Sequence, residues 1–499
     1  MKSNFFKKEE GVVLVQVLVF ATVSVIIMTG LVGWAGSNVK AARLAFYREQ
    51  AFQIAEAGIE YYRWHLAHDQ DDFQDGTGVP GPYIHNYLDK DENVIGTFTL
   101  EITPPVIGST VVTVRSTGTV NEYPSVNRKL EVRMAIPSWA RYAVAANADM
   151  RFGNGTEVFG PLHSNGGIRF DGLAHNIISS SRTDYNDPDH SGNNEFGVHT
   201  HTDPSPPANP APPNSPTNGI FRANEAPPTN PVPTRNDIFQ AGRQFPVPAV
   251  DFAGITTDLA SIKTQAQAAG FYRAGSGALG YRVLLRTDDT FDLYRVNTLR
   301  AAPNNCTNTA NQATWGTWSI ATGGGAQALL GNYAIPANGL VFLEDSRIWV
   351  EGQINTARVT IAASRFSPDP NVQSQITVNN NLLYTNYDGQ DTISMIAENN
   401  FNVGLFSLDV LRIDGAIVAQ LGRAGRYYYE SDCSPNNNRN TLTLYGMIAT
   451  SLRYGFAYTD GSGYNNRNII YDANLLYAPP PSFPLTSDQY SVISWQEIK

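Results

Sequence analysis

Residues 7–20, KKEEGVVLVQVLVF, set a short charged leader ending in glycine directly against an apolar run. From Val12 to Val39 no residue carries a formal charge, and about 20 apolar residues suffice to span a bilayer as a helix. A cleavable secretory signal has a shorter apolar region, roughly 7–15 residues, followed by a small-residue cleavage site. The run therefore reads as a membrane segment. Lys2, Lys7 and Lys8 on one side balance Lys40, Arg43 and Arg48 on the other, so local charge does not fix its orientation.

Beyond the apolar run, residues 40–68, KAARLAFYREQAFQIAEAGIEYYRWHLAH, continue without proline and are rich in Ala, Glu, Gln and Arg, all good helix formers. The spacing predicts one helix over residues 12–68. Ala45, Phe52, Ala55, Ile59, Tyr62 and Leu66 recur at intervals of three, four and seven and form an apolar stripe on an otherwise polar helix. Its partner is either the protein's own β-sheet or the same helix of a neighbouring copy.

The glycine-ended leader, the long apolar run and the amphipathic QAFQIAEAGIE continuation together resemble the start of type IV pilin-like proteins, most closely minor pilins of the PilX type. The resemblance covers residues 7–66. It implies cleavage by a prepilin peptidase after Gly11, which leaves Val12 as the mature amino terminus. It also implies association with other pilin-like subunits through the helix within membrane lipid, a cytoplasmic amino terminus and an outward-facing bulk on the cell surface. Major pilins of this family carry a glutamate five residues after the cut, and here that position is Gln16. A neutral amide cannot form an ion pair with a neighbour's terminal amine, but it costs less to hold in lipid and still hydrogen-bonds between helices. Gln16 thus points to a low-copy or tip component and is the expected helix-bundle contact. Phe52, Ala55, Glu56 and Ile59 are the expected docking residues of the helix. Glu9 and Glu10 stand where such leaders usually end in a basic residue, and an uncleaved single-pass anchor is the alternative.

The chain has 499 residues, 16% of them charged, a net charge of −10 and a pI near 5.3. With no basic block or basic-aromatic stripe, nucleic acid is not expected as a partner. The 24 Tyr, 23 Phe, 42 Gly and 30 Pro suggest many short strands joined by turns. Cys306 and Cys433 lie in polar, turn-rich contexts, and in an exported chain a bridge between them is favoured over two free thiols.

After a loop, GTFTLEIT, STVVTVRSTGTV and NRKLEVRMAIP alternate apolar and polar residues and predict a small antiparallel sheet. Leu100, Ile102, Val112, Val114, Leu130, Val132 and Met134 would line one face under the helix stripe. Past Trp139 a different pattern begins in EVFGPLHSNGGIRFDG and recurs in SRIWVEGQI, VLRIDGAIVA and TLTLYGMIAT, each with inward aliphatics flanking a glycine at period two. Looser versions lie in QITVNNNLLY and SMIAENNFNV. Short strands returning at irregular intervals suggest stacked coils of a β-solenoid, with Asn379, Asn380, Asn381, Asn399 and Asn400 suited to left-handed turn positions and amide ladders. A β-sandwich is the alternative. The HSNG segment and proline-rich tail over 140–175 and 336–499 also resemble the bodies of pilus-associated, PilX-like surface proteins.

The expected fold is α+β with a mostly β body. It comprises a leader (1–11), a transmembrane and amphipathic helix (12–68), a pilin-like antiparallel sheet (69–138) and the first part of an irregular right-handed β-solenoid (139–175). An insertion follows (176–335), with a Pro/Asn-rich linker (183–236) and a small α+β element, and then the main solenoid and tail (336–499). Within the insertion, Phe252, Ile255, Leu259, Ile262 and Ala266 are spaced for a helix, and YRVLLRTDDTFDLYRV reads as a hairpin around Asp288 to Thr290. The carboxyl end is expected to lie back over the body.

No cofactor, metal or catalytic residue is predicted. GSGALG, Gly275 to Gly280, follows a helix and precedes a strand, the reverse of a dinucleotide site, and reads as a turn. His199 and His201 in VHTHT would project to one side of an extended segment, as metal ligands do, but no third ligand is fixed nearby and a solvated loop is the simpler reading. Asp184, Asn186 and Glu195 match three calcium-loop positions, but Pro188 and Asp189 break the pattern. Asp69, Asp71, Asp72 and Asp75 read as an ordinary acidic loop, and His163 beside Ser164 as part of a turn.

Two functions remain open at this level. One is a structural, pilin-like subunit displaying its β body toward a surface receptor or glycan for assembly or adhesion. The other is a membrane-anchored β-helix enzyme acting on surface polysaccharide, which would need Arg347, Glu351, Arg358, Arg412 and Asp414 to converge.

Overall fold

The computed structural model describes residues 10–203 and 221–498, with the side chains of 10, 11 and 253–258 excepted. The leader before residue 10, the middle of the Pro/Asn-rich tract and the Ile255 side chain lie outside the described residues. The chain divides into two units: residues 1–104, 112–135 and 489–499 form the first, and residues 105–111 and 136–488 the second.

In the first unit one unbroken helix, α1 (Glu10–His68), runs through the apolar run and its amphipathic continuation. Strands β1 (Tyr83–Leu88), β2 (Val94–Thr103), β3 (Val112–Val120) and β4 (Asn127–Ala135) follow, and all pair antiparallel in order. The second half of α1 lies across this sheet. Tyr47, Ala51, Ile54, Ala55, Ile59, Tyr62 and Leu66 are buried against Phe98, Leu100, Val112, Val114, Leu130, Val132 and Met134. Fully burying each of the larger aliphatic side chains contributes about 1.5–3 kcal/mol. Close approach is possible because Gly118 has no side chain: a Cβ there would stand 2.1 Å from the Ala51 carbonyl oxygen and 2.5 Å from the Ala55 nitrogen. The buried stripe is rotated from the expected one, because Ala45 is exposed and Tyr47 takes its place.

The carboxyl end lies over the body only as far as residue 488, with Leu475 and Phe483 packed into its core and the Pro481 carbonyl bonded to Thr360. Its last strand, Ser491–Ile498, adds antiparallel to β4 and completes a five-stranded sheet. Strands that precede and follow the second unit's main stretch, residues 136–488, therefore share one sheet.

The second unit is built from parallel pairing. One ladder runs through Phe271–Arg273, Leu340–Leu343, Arg358–Ala363, Thr392–Ala397 and the second half of Val410–Ala419 to the end of Asn438–Thr450. From there it continues into Val144–Ala146, Leu162–Ser164, Ile178–Ser180 and Arg243–Gln244. A second ladder links Gly280–Leu285, Arg347–Gln353, Leu382–Leu383, the first halves of Val410–Ala419 and Asn438–Thr450, Gly463–Tyr471, Thr156–Phe159 and Leu173–Ala174. The repeated motif stacks on itself: Leu411, Ile413, Gly415 and Ile417 pair in register with Leu442, Leu444, Gly446 and Ile448. Such parallel stacking fits the coil reading and not a sandwich, whose sheets are antiparallel.

Both faces of the first ladder are covered, as parallel sheets require. The inner side holds Ile361, Ile393, Met395 and Ile417 in the main core. The outer side packs Phe342, Ala362, Ile396 and Val418 against Leu259, Ile262 and Ala266 of helix α2 (Ala253–Ala269). This is why Thr392–Ala397 is buried at every position and shows no alternation.

Residues 176–335 are not an insertion outside the body, since they contribute strands to its ladders, and the hairpin at Gly280–Leu285 and Thr290–Val296 extends to a third strand, Gln327–Ala334. Nor do Asn379, Asn380, Asn381, Asn399 and Asn400 adopt left-handed backbone. Their amides instead serve neighbouring segments: Asn379 accepts from the Gly404 N–H at 2.7 Å and Asn400 from the Arg423 N–H at 2.9 Å.

Candidate functional site

Two regions carry chemistry beyond packing. The first is α1. Every residue from Val12 to Phe46 is exposed, Gln16 included, and as far as Val39 the helix presents mostly apolar side chains all round. It is long and apolar enough to cross a membrane. Its two threonine hydroxyls are satisfied within the helix, Thr22 Oγ1 donating to the Leu18 carbonyl at 2.7 Å and Thr29 Oγ1 to that of Val25 at 2.9 Å, as a low-dielectric surround favours. Gly11 and Val12 lie in the first turns of this helix.

Among the expected docking residues, Ala55 and Ile59 are buried under the sheet. Phe52 is half-buried, edge-on to Trp495 at 5.8 Å and beneath the Arg128 guanidinium. Glu56 is exposed and takes no part in docking. The sequence reading passed over Tyr47, Ala51 and Ile54, although their spacing continues the stripe through Tyr62.

The residues a polysaccharide-cleaving site would use are held by separate neighbours. Arg358 donates to the carbonyls of Ile107, Gly389, Ala478 and Pro479. Arg412 pairs with Asp414 at 2.8 Å, while Asp414 also accepts from the Tyr384 N–H and the Tyr387 hydroxyl. Glu351 pairs with Arg282, and Arg347 lies over the Trp318 ring. His163 bonds to Ser179 and Asn165, and Ser164 donates to the Ala148 carbonyl, so these neighbours hold a turn. In the acidic loop, Asp72 accepts from the Gln74 and Gly76 N–H groups and Asp75 pairs with His85. GSGALG precedes Gly280–Leu285 as a turn, with Gly277 at φ 67°. Cys306 and Cys433 are bridged, buried beside Trp318, Tyr427 and Tyr429.

The second region corrects the reading of VHTHT as a solvated loop. His199 and His201 are buried, and they meet His190, Asp187 and Glu195. A two-stranded ribbon, Asp184–Tyr185 with Glu195–Phe196, brings Glu195 in. Strand Val198–His199 pairs in parallel with Ile168–Phe170, setting His199 beside Arg169. Three imidazole Nε2 atoms surround the Glu195 carboxylate, those of His190, His199 and His201 lying 2.8, 3.0 and 3.0 Å away. Asp187 Oδ2 stands 3.6 Å from both His190 and His199 Nε2. The side chains of all five are at most 3% exposed.

His199 Nδ1 donates to the Phe196 carbonyl at 3.2 Å, so that nitrogen carries the proton. Its Nε2 faces the carboxylates outside hydrogen-bonding geometry. Burial works against the charged imidazole, but Asp187 and Glu195 outweigh it and push the group up to about 9. Burial likewise opposes ionisation of Asp187 and Glu195, and the attraction of the charged His199 imidazole overcomes it and holds both below the ordinary carboxylate range. For His201 burial prevails and lowers the group. Sequence alone offered only the His199–His201 spacing as a signal. His190, which completes the set, lies in a stretch read as part of a linker.

No protein-family model and no curated protein sequence matches the chain. Among solved structures, the crystal structure of the competence-associated pilin ComZ from Thermus thermophilus aligns at 12% identity over 91% of this chain and 98% of that one, with a TM-score of 0.28. At that TM-score the likeness supports no statement about fold or function.

Proposed function

We propose that this chain is a membrane-inserted, type IV pilin-like subunit of the minor, PilX-like kind. Its helix enters a pilus or a related secretion assembly, and its β body is displayed on the cell surface for assembly or adhesion. The observation that carries this is the division of a single helix: α1 is exposed from Val12 to Phe46, free of charge as far as Val39, and packed on its own sheet from Tyr47 to Leu66. A helix that only anchored the chain would not need its second half built into the folded core. One whose first half associates laterally with other copies in lipid gains from a rigid continuation into the head.

In this reading a prepilin peptidase cuts after Gly11, the amino terminus begins on the cytoplasmic side, and Gln16 hydrogen-bonds to neighbouring helices. The role is structural and not catalytic. In support, Arg412 and Asp414 are engaged with each other, and Arg347, Glu351 and Arg358 with other neighbours, Trp318, Arg282 and backbone carbonyls.

The test is the amino terminus of the protein isolated from native membranes, read by mass spectrometry. A mature chain beginning at Val12, with processing lost in Gly11→Val, is the expected result. An intact Met1 in an otherwise normally located protein would leave a simple anchor and end the processed-subunit reading.

A further inference from the structure

We propose that Asp187, His190, Glu195, His199 and His201 bind a divalent first-row transition ion, zinc in the first place, and that the ion ties together the segment 187–201 that carries all five.

The geometry is that of a coordination shell. Ligand atoms of Asp187, His190, Glu195 and His201 all lie within 4.8 Å of one another. Neighbouring nitrogen and oxygen atoms, including His199 Nε2, are 2.8, 3.0 or 3.6 Å apart. Around a four-coordinate ion with bonds of about 2.0–2.2 Å, neighbouring ligand atoms stand about 3.3–3.6 Å apart. The 3.6 Å separations from Asp187 already match that spacing, and the 2.8 and 3.0 Å contacts around Glu195 would open by several tenths of an ångström to admit a central ion. The donor set selects the class: imidazole nitrogens with carboxylates suit zinc and its first-row neighbours, whereas calcium and magnesium take oxygen ligands.

A second observation points inward. His199 is fixed through Nδ1 by the Phe196 carbonyl, the arrangement that orients metal-bound histidines. This aims Nε2, on a fully buried side chain, at two carboxylate oxygens with which it makes no hydrogen bond. In the neutral imidazole a lone pair directed at carboxylates is repulsive, and either a proton on Nε2 or a cation between the atoms relieves it.

Charge balance agrees. With neutral imidazoles the five side chains carry two negative charges from Asp187 and Glu195. The Arg169 guanidinium is 3.5 Å from Asp187 and is also bonded to Asp171 at 2.8 Å. Buried charge without a counter-charge is costly, and a divalent ion supplies two positive charges where they are needed. The remaining nearby acid, Asp189, is taken by Arg151 and Arg453.

The experiment uses the full chain purified in detergent without chelator. Elemental analysis is expected to find about one equivalent of zinc, or of another first-row divalent ion, per chain. Glu195→Gln and His201→Gln should abolish that stoichiometry while the Cys306–Cys433 bridge and far-ultraviolet circular dichroism report a folded body. Because these variants can misfold, a second measurement uses the wild-type chain alone: after chelation, added Co²⁺ should produce visible ligand-field bands and restore any lost thermal stability. Absence of a stoichiometric first-row ion together with no Co²⁺ bands in folded wild-type protein would overturn the proposal. So would an ion content unchanged in both folded variants. A cluster held only by a protonated His199 predicts those negative results.

Discussion

Gly446 sits in register on Gly415 in the neighbouring parallel strand, and a Cβ built on Gly446 would stand 2.1 Å from the Gly415 carbonyl oxygen. Both glycines have positive φ, 143° and 145°. The repeated glycine of VLRIDGAIVA and TLTLYGMIAT thus allows two backbones to stack where a side chain would push them apart.

Gly446→Ala should therefore destabilise the body by about 2–5 kcal/mol, combining an unfavourable backbone conformation with a clash against main chain. Gly455→Ala is the control: nothing lies within 4 Å of its Cβ position, and a change within about 0.5 kcal/mol is expected. Thermal unfolding of the two variants, compared with the parent chain, reads the difference.

Docking of α1 should depend on the buried stripe and not on its charged neighbour. Ile59→Ala, at a site 3% exposed, should cost about 2–4 kcal/mol through lost burial and a residual cavity. Glu56→Ala, at an exposed site, should cost less than about 0.5 kcal/mol. Hydrogen exchange of peptides covering residues 47–68 reports on this unit separately from the rest of the chain.

The Cys306–Cys433 bridge closes a sequence separation of 127 residues. Replacing both cysteines by serine should lower stability by about 2–5 kcal/mol and should first loosen the Trp318, Tyr427 and Tyr429 cluster that surrounds the sulfurs. Alkylation of the unreduced protein should label no thiol, and labelling of both cysteines would refute the bridge.

Alkaline pH should weaken the body through Tyr471. Burial, with the neighbouring Asp472, raises this phenol from 10.0 to about 12, and its hydroxyl donates to the Ala140 carbonyl at 2.7 Å. A folded-state value above the unfolded one means that the stabilisation is complete below pH 10.0 and is lost as pH rises toward 12. Tyr471→Phe should flatten the fall in stability over that window. An unchanged profile, or phenolate absorbance from this residue at its ordinary pH, would contradict the assignment.

Much of the first unit was legible because its signals are local. The apolar run and the alternation in β2, β3 and β4 fix which residues share a face, and those faces are the ones that pack. The stripe was misplaced by a fraction of a turn at Ala45 because small residues leave the edge of a helical face undefined. Glu56, expected with Phe52, Ala55 and Ile59 to dock the helix, points to solvent from its position on α1. Strand β1 and Ser491–Ile498 were missed for different reasons. The first, YIHNYL, mixes polar residues into a short edge strand, and the second pairs with a segment more than three hundred residues earlier.

The sequence by itself determined the helix through the apolar run, the antiparallel strands after it and the aliphatic–glycine repeat of the body, because period and residue type act between near neighbours. Only the tertiary structure decided that strands from residues 144–180 stack beyond those of 438–471, that the last strand returns to the first sheet, and that three histidines close on Asp187 and Glu195. Each of those outcomes depends on which distant segments meet. Backbone pairing and side-chain convergence are set by packing of the whole chain, and spacing along it carries no record of that choice.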